Sequence, residues 1–420
     1  MLIINDVENK FSSCHCLAKH CTGTNSVNLL LYIVAAYSNG TYRTPWRYRV
    51  AEFCDCANVF LHWAWIVFYI RTVLVCCVTM PASNSLGNPK KLEHQDYTVG
   101  WISALSLELS AAILMLDEEY DPLACQGKDK NTYVFGRMGN HNVVIACLPE
   151  GSYGTISAAS VAQDMLRSFG SIRFGLMVGI GAGIPSNQHQ IRLGDVVVST
   201  PTDTCGGVVQ YDLGKIGGDG QFTRKGSLNK PPQVLLAAVA TLKAKHRLGR
   251  EKLNPLLKAL QIEDFENPED FQYQGTEFDY LFQADYLHPD NADTCDSCDK
   301  SKVDPRLDDR PRLKNNEPAI HYGIIASGNQ LIRHTVQRER LKQDCNACCI
   351  EMEAAGLMDN FPCLIIRGIC DYADSHKNDR WQQYAALTAA AYSKRLLSVI
   401  SPKQVEVMPT VEDAMKKSQS

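Results

Sequence analysis

Positive charge is scarce in this sequence. Its 42 lysines and arginines are outnumbered by 46 aspartates and glutamates, a net charge of −4. No basic surface of the kind that grips a phosphate backbone is expected, and no nucleic-acid partner. A disulfide framework is also missing. The 17 cysteines are odd in number. Seven crowd into residues 1–79 (Cys14, Cys16, Cys21, Cys54, Cys56, Cys76 and Cys77), and the rest are scattered without regular spacing. That argues against a secreted disulfide scaffold and for a reducing, cytoplasmic setting. No internal repeat is visible. The longest apolar stretch, NVFLHWAWIVFYIRTVLVCCV at 58–78, is interrupted by His62 and Arg71. It lies too late and is too aromatic for a signal peptide, and a membrane anchor there is the less favoured reading.

What is present is ordinary globular material, 45% hydrophobic and 21% charged, at a length that allows one elaborated α/β domain. Residues 1–79 form an atypical N-terminal extension without persistent periodicity, and Met80 is the expected start of the mature protein. A polar leader follows over 80–96. From 97 to 402 strands and helices alternate. YTVGWISAL reads as a strand running into a helix, SLELSAAILMLDEE, with Leu105, Leu109, Ile113 and Leu116 on one face. NVVIACL, FGLMVGIGAGIP, GDVVVS, HYGIIASG and PCLIIRGIC are further strands. GTISAASVAQDMLRSFG, QVLLAAVATLKAKHRL and WQQYAALTAAAYSKRLLSVI are helices, and IEMEAAGLMDN begins another. The pattern predicts a three-layer α/β fold, a mostly parallel or mixed central sheet flanked by helices. An insertion is expected over 206–318 and a polar tail over 403–420. In such sheets ligands bind at the carboxyl ends of the strands.

Several strand ends carry polar chemistry. Gly179, Gly181 and Gly183 form a G-x-G-x-G that is not the dinucleotide fingerprint, because Pro185 blocks a following helix. It reads either as a tight turn or as a place where backbone amides approach a ligand. The strand IIRGIC runs directly into Asp371 and Asp374, the latter expected as a surface or helix-capping acid. Glu351 and Glu353 can equally be read as carboxylates at a helix start, and Glu108 as an acid in a first helical turn. Within the insertion, CDSCD at 295–299 is a Cys-x-x-Cys with His288 nearby. A zinc site needs two further ligands, and Cys345, Cys348 and Cys349 could supply them only by long-range coincidence. The simpler reading is a surface insertion with incidental cysteines, and neither metal nor organic cofactor is expected.

Taken together, VGWISALSLE (99–108), VGIGAGIP (178–185), GDVVVS (194–199), ASGNQ (326–330), EMEAAG (351–356) and RGICDYAD (367–374) resemble the purine nucleoside phosphorylase and nucleosidase superfamily over roughly 97–400. The likeness is strongest to a fungal branch in which this domain heads a larger protein. The resemblance implies cleavage of an N-glycosidic bond in a small nucleoside or nucleotide, with water or phosphate as co-substrate, in a homo-oligomer. It assigns the proton for the leaving purine to Asp371 and activation of water to Glu108. Glu353 would accept two ribose hydroxyls, with Met352 packing under the sugar. The substrate-binding set implied is Glu353, Met352, Glu351, Gly179, Ile180, Gly181, Ser327, Asn329, Leu331 and Ile332.

The chemistry suits these residue types. A purine leaves poorly unless protonated, which a partly buried carboxylic acid can accomplish. One ionised carboxylate can accept from two adjacent hydroxyls. Phosphorylases of the superfamily line the region of Glu108 with arginines. This chain has no Arg or Lys between Tyr97 and Glu119, and Met177 stands where uridine phosphorylases carry an Arg. Hydrolysis is therefore expected. A phosphate-dependent phosphorylase is the alternative, and a nucleoside-sensing domain with little turnover is a second. Asn329 stands where nucleosidases have Asp, and Leu331 where they have an aromatic, so the base preference, expected to be adenine, is less constrained. Arg333, Lys215, Arg224 and Lys225 are the candidates for the phosphates of a nucleotide such as ATP.

Overall fold

The computed structural model describes residues 92–202, 204–262, 265–289, 294–305 and 314–419. The extension at 1–79, the apolar stretch 58–78, the start at Met80 and most of the 80–96 leader lie outside them. No helix among the described residues is long and apolar enough to cross a membrane.

In chain order β1 (Val99–Ser103) runs into α1 (Ser106–Leu114), then β2 (Glu118–Tyr120), β3 (Tyr133–Met138), β4 (His141–Cys147) and α2 (Thr155–Ser168). Next come β5 (Phe174–Gly183), β6 (Val196–Ser199), β7 (Val208–Gln210) and a small hairpin, β8 (Gly214–Ile216) and β9 (Phe222–Arg224). α3 (Gln233–Arg247), the single turn α4 (Asn254–Leu257) and a run of short 3₁₀ turns lead to β10 (Ile320–Ser327). The chain continues through α5 (Thr335–Cys345), β11 (Ala347–Glu351), β12 (Cys363–Asp371), α6 (Gln382–Ser398), α7 (Pro402–Glu406) and α8 (Val411–Gln419).

The main sheet has the order β11-β10-β6-β12-β5-β1-β4-β3-β2, with β7 beside β10. β12, β5, β1 and β4 are mutually parallel, while β12–β6 and the β2–β3–β4 edge are antiparallel. β11 also pairs antiparallel with β5 (Cys349↔Gly183, Ile350↔Ala182), so β5, β12, β6, β10 and β11 close into a ring. Successive strand residues point to opposite faces. Val99, Trp101, Val143, Ile145, Leu176 and Val178 pack with α1, α3 and α6, whereas Ile102, Val144 and Ala146 pack with α2. The alanines of α6 let it lie directly on the sheet: a Cβ on Gly368 would stand 1.8 Å from the Ala385 carbonyl oxygen.

Several expectations need correction. IEMEAAG does not begin a helix. Residues 347–351 are held as a strand between β10 and β5, and Glu351 then accepts the N–H groups of Glu353 and Ala354 at 3.0 Å, which ends β11 in one 3₁₀ turn at Ala354–Gly356. The glycine run forms the last part of β5, as the strand reading has it, with β11 laid against it rather than a tight turn. On α1 the fully buried stripe is Glu108, Ala111, Ala112 and Met115, rotated from the expected face, whose Leu109, Ile113 and Leu116 are half-buried. Part of 206–318 belongs to the core, since β7 pairs with β10 and Leu235 and Leu242 of α3 are buried. The 403–420 tail contributes α8, with Val411 buried.

Candidate active site

The carboxyl ends of β1, β5, β11 and β12 converge on one cavity of about 540 Å³. Glu108 reaches it from the first turn of α1. Its Oε2 accepts the N–H groups of Ala104 (2.6 Å) and Leu105 (3.1 Å), and its Oε1 accepts that of Ile180 (2.7 Å). The side chain is only 3% exposed. Burial raises its pKa above the ordinary glutamate range, against the opposing pull of Arg367 and the three backbone donors.

Gly179 is explained by this carboxyl. A Cβ there would lie 2.2 Å from Glu108 Oε1 and 2.6 Å from Arg367 Nη1. The glycine leaves room for protein charges rather than for ligand alone.

Arg367, the residue that interrupts the apolar strand β12, is completely buried. Its guanidinium pairs with Glu351, with Glu353 at 3.2 Å and with Glu108 at 3.9 Å. The three carboxylates hold its pKa above even the usual arginine range. Glu351 is spent on this ion pair and on capping the turn after β11. Glu353 is freer: beyond Arg367 it accepts only a long contact from the Gly154 N–H at 3.4 Å among the described residues. Burial pushes Glu353 up to about 7, Arg367 pulls it down, and the neighbouring carboxylates Glu351 and Glu108 push it up again.

On β12 a register shift between Ile369 and Asp371 turns Asp371 into the cavity. One carboxyl oxygen accepts the Ala373 N–H at 2.8 Å, and the other is bound by Lys377 Nζ and the Cys370 thiol. Ala373 has a positive φ of 53°, which makes the turn tight enough for that closure. Asp371 thus meets the cavity as half of an ion pair. Asp374 is not a surface acid: it is buried, accepts the His376 N–H at 2.9 Å and lies 3.5 Å from Arg338. Burial pushes it up to about 6, with Arg338 opposing.

Of the residues expected at the site, Glu108, Ile180, Gly181, Leu331, Ile332, Glu351, Met352, Glu353 and Asp371 line the cavity. Gly179, Ser327 and Asn329 do not. Ser327 Oγ accepts the Ala355 N–H, and Asn329 Oδ1 accepts the Thr155 N–H and hydroxyl at the start of α2, so both brace the walls. Arg333 lines the cavity. Arg224 and Lys225 line a separate one, and Lys215 is exposed on the β8–β9 hairpin. Sequence reasoning missed Arg367 and Lys377 as members of the site. The first carried a signal, a charge inside an otherwise apolar strand. The second carried none, because only the turn after β12 brings it back. The cation-poor site expected around Glu108 is therefore corrected: Arg367 supplies a buried positive charge from another strand. Tyr153, Gln330, Asp379 and Gln382 also line the cavity. Away from it, Cys295 and Cys298 are buried rather than superficial and form with His288 a group able to hold a metal.

The family described as the Phosphorylase superfamily matches residues 256–401. A nucleotide-binding leucine-rich repeat (NLR)-like protein of Hyaloscypha variabilis is 46% identical over 317 residues, 75% of this chain and 30% of that protein. The ATP nucleosidase Cap17 of Escherichia coli (strain KTE188) is 43% identical over 77 residues, 17% of this chain and 15% of its own. This chain thus spans less than a third of either relative. The solved futalosine hydrolase of Helicobacter pylori strain 26695 aligns over 73% of this chain and 99% of its own, at 16% identity and a TM-score of 0.47. Residues 256–401 thus carry the Phosphorylase superfamily match, and the wider chain is similar to its fungal NLR-like relative.

Proposed function

We propose that the protein hydrolyses the N-glycosidic bond of a purine nucleoside or nucleotide, with adenine as the preferred base. The observation that carries this reading is the set of carboxyls converging on one nucleoside-sized cavity: Glu108, Glu353 and Asp371, the first two balanced by a single buried arginine and the third by Lys377. Glu353, with oxygen capacity to spare, accepts the two ribose hydroxyls, and Met352 packs under the sugar. As the C1′–N9 bond breaks, positive charge grows on the sugar, and three carboxyls nearby favour it. Asp371 takes up a proton from solvent as the substrate binds and gives it to the departing base, and the carboxylate left behind returns to its ion pair with Lys377. Glu108, made more basic by burial, takes a proton from the water that attacks C1′. The proton held by Glu108 then returns to solvent, so one water is consumed overall and the products are the free base and the ribose, or ribose phosphate where the substrate is a nucleotide.

Water is favoured over phosphate because Arg367 is engaged by carboxylates and fully enclosed, leaving it no face for a phosphate dianion. Arg333 at the cavity, and the similarity to a protein named for ATP, support a nucleotide as substrate. The test incubates the protein with adenosine, methylthioadenosine and ATP, with and without phosphate, and follows adenine by chromatography. Adenine released without phosphate is expected. Release only with phosphate, as a sugar 1-phosphate, would overturn hydrolysis, and binding without release would point to a sensor.

A further inference from the structure

Cys295 and Cys298 sit on and just after a 3₁₀ turn in the stretch between α4 and β10. Both are buried, and their sulfurs and a ring nitrogen of His288 all lie within 4.8 Å of one another. A tetrahedral zinc site with Zn–S near 2.3 Å and Zn–N near 2.0 Å needs ligand atoms about 3.3–3.8 Å apart, so small shifts suffice. Two further observations point to a missing cation. His288 has Nδ1 3.0 Å from the Pro289 carbonyl and Nε2 3.2 Å from the Thr294 carbonyl. A neutral imidazole has one N–H, so one of these nitrogens turns a lone pair toward oxygen. Beside it His376 is 95% enclosed, with neither ring nitrogen hydrogen-bonded. Its ring lies 5.2 Å from that of His288 and stacks on Phe282 at 4.0 Å. Buried polar atoms without partners are rare and costly.

We propose that Cys295, Cys298 and His288 bind a structural zinc ion, with His376, which lies just outside that 4.8 Å group, swinging in as the fourth ligand. Two thiols give up their protons on binding, and two thiolates and two neutral imidazoles leave the site uncharged overall. Asn378 Nδ2, 3.6 Å from Cys295 Sγ, donates to the sulfur from outside the ligand set. The consequence reaches the cavity. His376 lies between Asp371 and Lys377 in sequence, and the Cys295 sulfur already lies 3.4 Å from the His376 carbonyl oxygen. The ion would tie the segment before β10 to the turn that aims Asp371, fixing that turn from behind.

The test uses the full chain, purified without chelator and analysed for zinc by mass spectrometry, then exchanged with cobalt(II). One equivalent of zinc per chain is expected. The cobalt form should show intense visible bands of a tetrahedral ion and a thiolate charge-transfer band in the near ultraviolet. Cys298→Ser and His376→Gln should each weaken zinc affinity by roughly tenfold or more, while Cys205→Ser, remote from the group, should not. Because a variant could fail to fold, the cobalt spectrum of the unaltered chain stands as an independent readout. Absence of zinc with no thiolate–cobalt band, zinc retained at full affinity in Cys298→Ser, or a Cys295–Cys298 disulfide in the isolated protein would each overturn the proposal.

Discussion

Replacing Arg367 by Met tests the electrostatic design of the site most directly. The guanidinium is fully buried and is the cation that pairs with Glu351, Glu353 and Glu108, all of them at most 5% exposed. Methionine keeps much of the volume and removes the charge. Breaking a buried ion pair from one side costs about 3–5 kcal/mol, because the remaining charge has no solvent to turn to. The carboxyls can relieve part of this by taking up protons, which makes the defect pH-dependent. Glu353 has its folded-state pKa raised to about 7. Its favourable contribution to stability is therefore complete below the unfolded value and lost as pH rises through about 7. Without Arg367 the same carboxyl holds its proton to higher pH, so the variant loses progressively more relative to the parent above that point. Each pH unit over which the two forms differ by one bound proton adds about 1.4 kcal/mol. Urea unfolding at pH 6 and pH 8, followed through the buried Trp101 and Trp381, measures both terms. We expect a loss of about 3–5 kcal/mol at pH 8, smaller by about 1 kcal/mol or more at pH 6. A loss under about 1 kcal/mol at pH 8, or the same loss at both values, would refute the claim that Arg367 neutralises charged, desolvated carboxylates.

Asp371→Asn should lower the rate of base release by about 100-fold to 10,000-fold with nucleoside binding retained, as read by single-turnover kinetics and calorimetry; unchanged turnover would remove Asp371 as the acid. Because sugar binding needs Glu353 as the carboxylate, kcat/KM should fall as pH drops below about 7, and Glu353→Gln should raise KM and flatten that limb of the profile. Gly179→Ala forces a methyl to 2.2 Å from Glu108 Oε1; a destabilisation of about 1–3 kcal/mol in denaturant should accompany loss of activity as Glu108 is pushed aside.

Much of this protein is written in local pattern. β1, β5, β12 and α6 are legible as apolar strands and an alanine-rich helix because burial on both faces of a sheet demands continuous apolar runs. The acids at their ends are legible because charge at the edge of such a run is costly unless it is used. α5 could not be read in this way: of its side chains only Arg338 and Leu341 are buried, so it carries no hydrophobic period. EMEAAG reads locally as a helix start, and only pairing with β10 and β5 makes 347–351 a strand. What tertiary structure alone decided is which charges meet. Arg367 reaches Glu108, Glu351 and Glu353 because β11 folds back onto β5 and closes the ring of strands. Lys377 meets Asp371 because of a bulge and one positive-φ residue. His376 meets His288, and with it the neighbouring Cys295 and Cys298, across a long separation in sequence. Periodicity reports which face of an element is buried; it is silent on which buried faces are opposed, and the electrostatics of the site depend on that opposition.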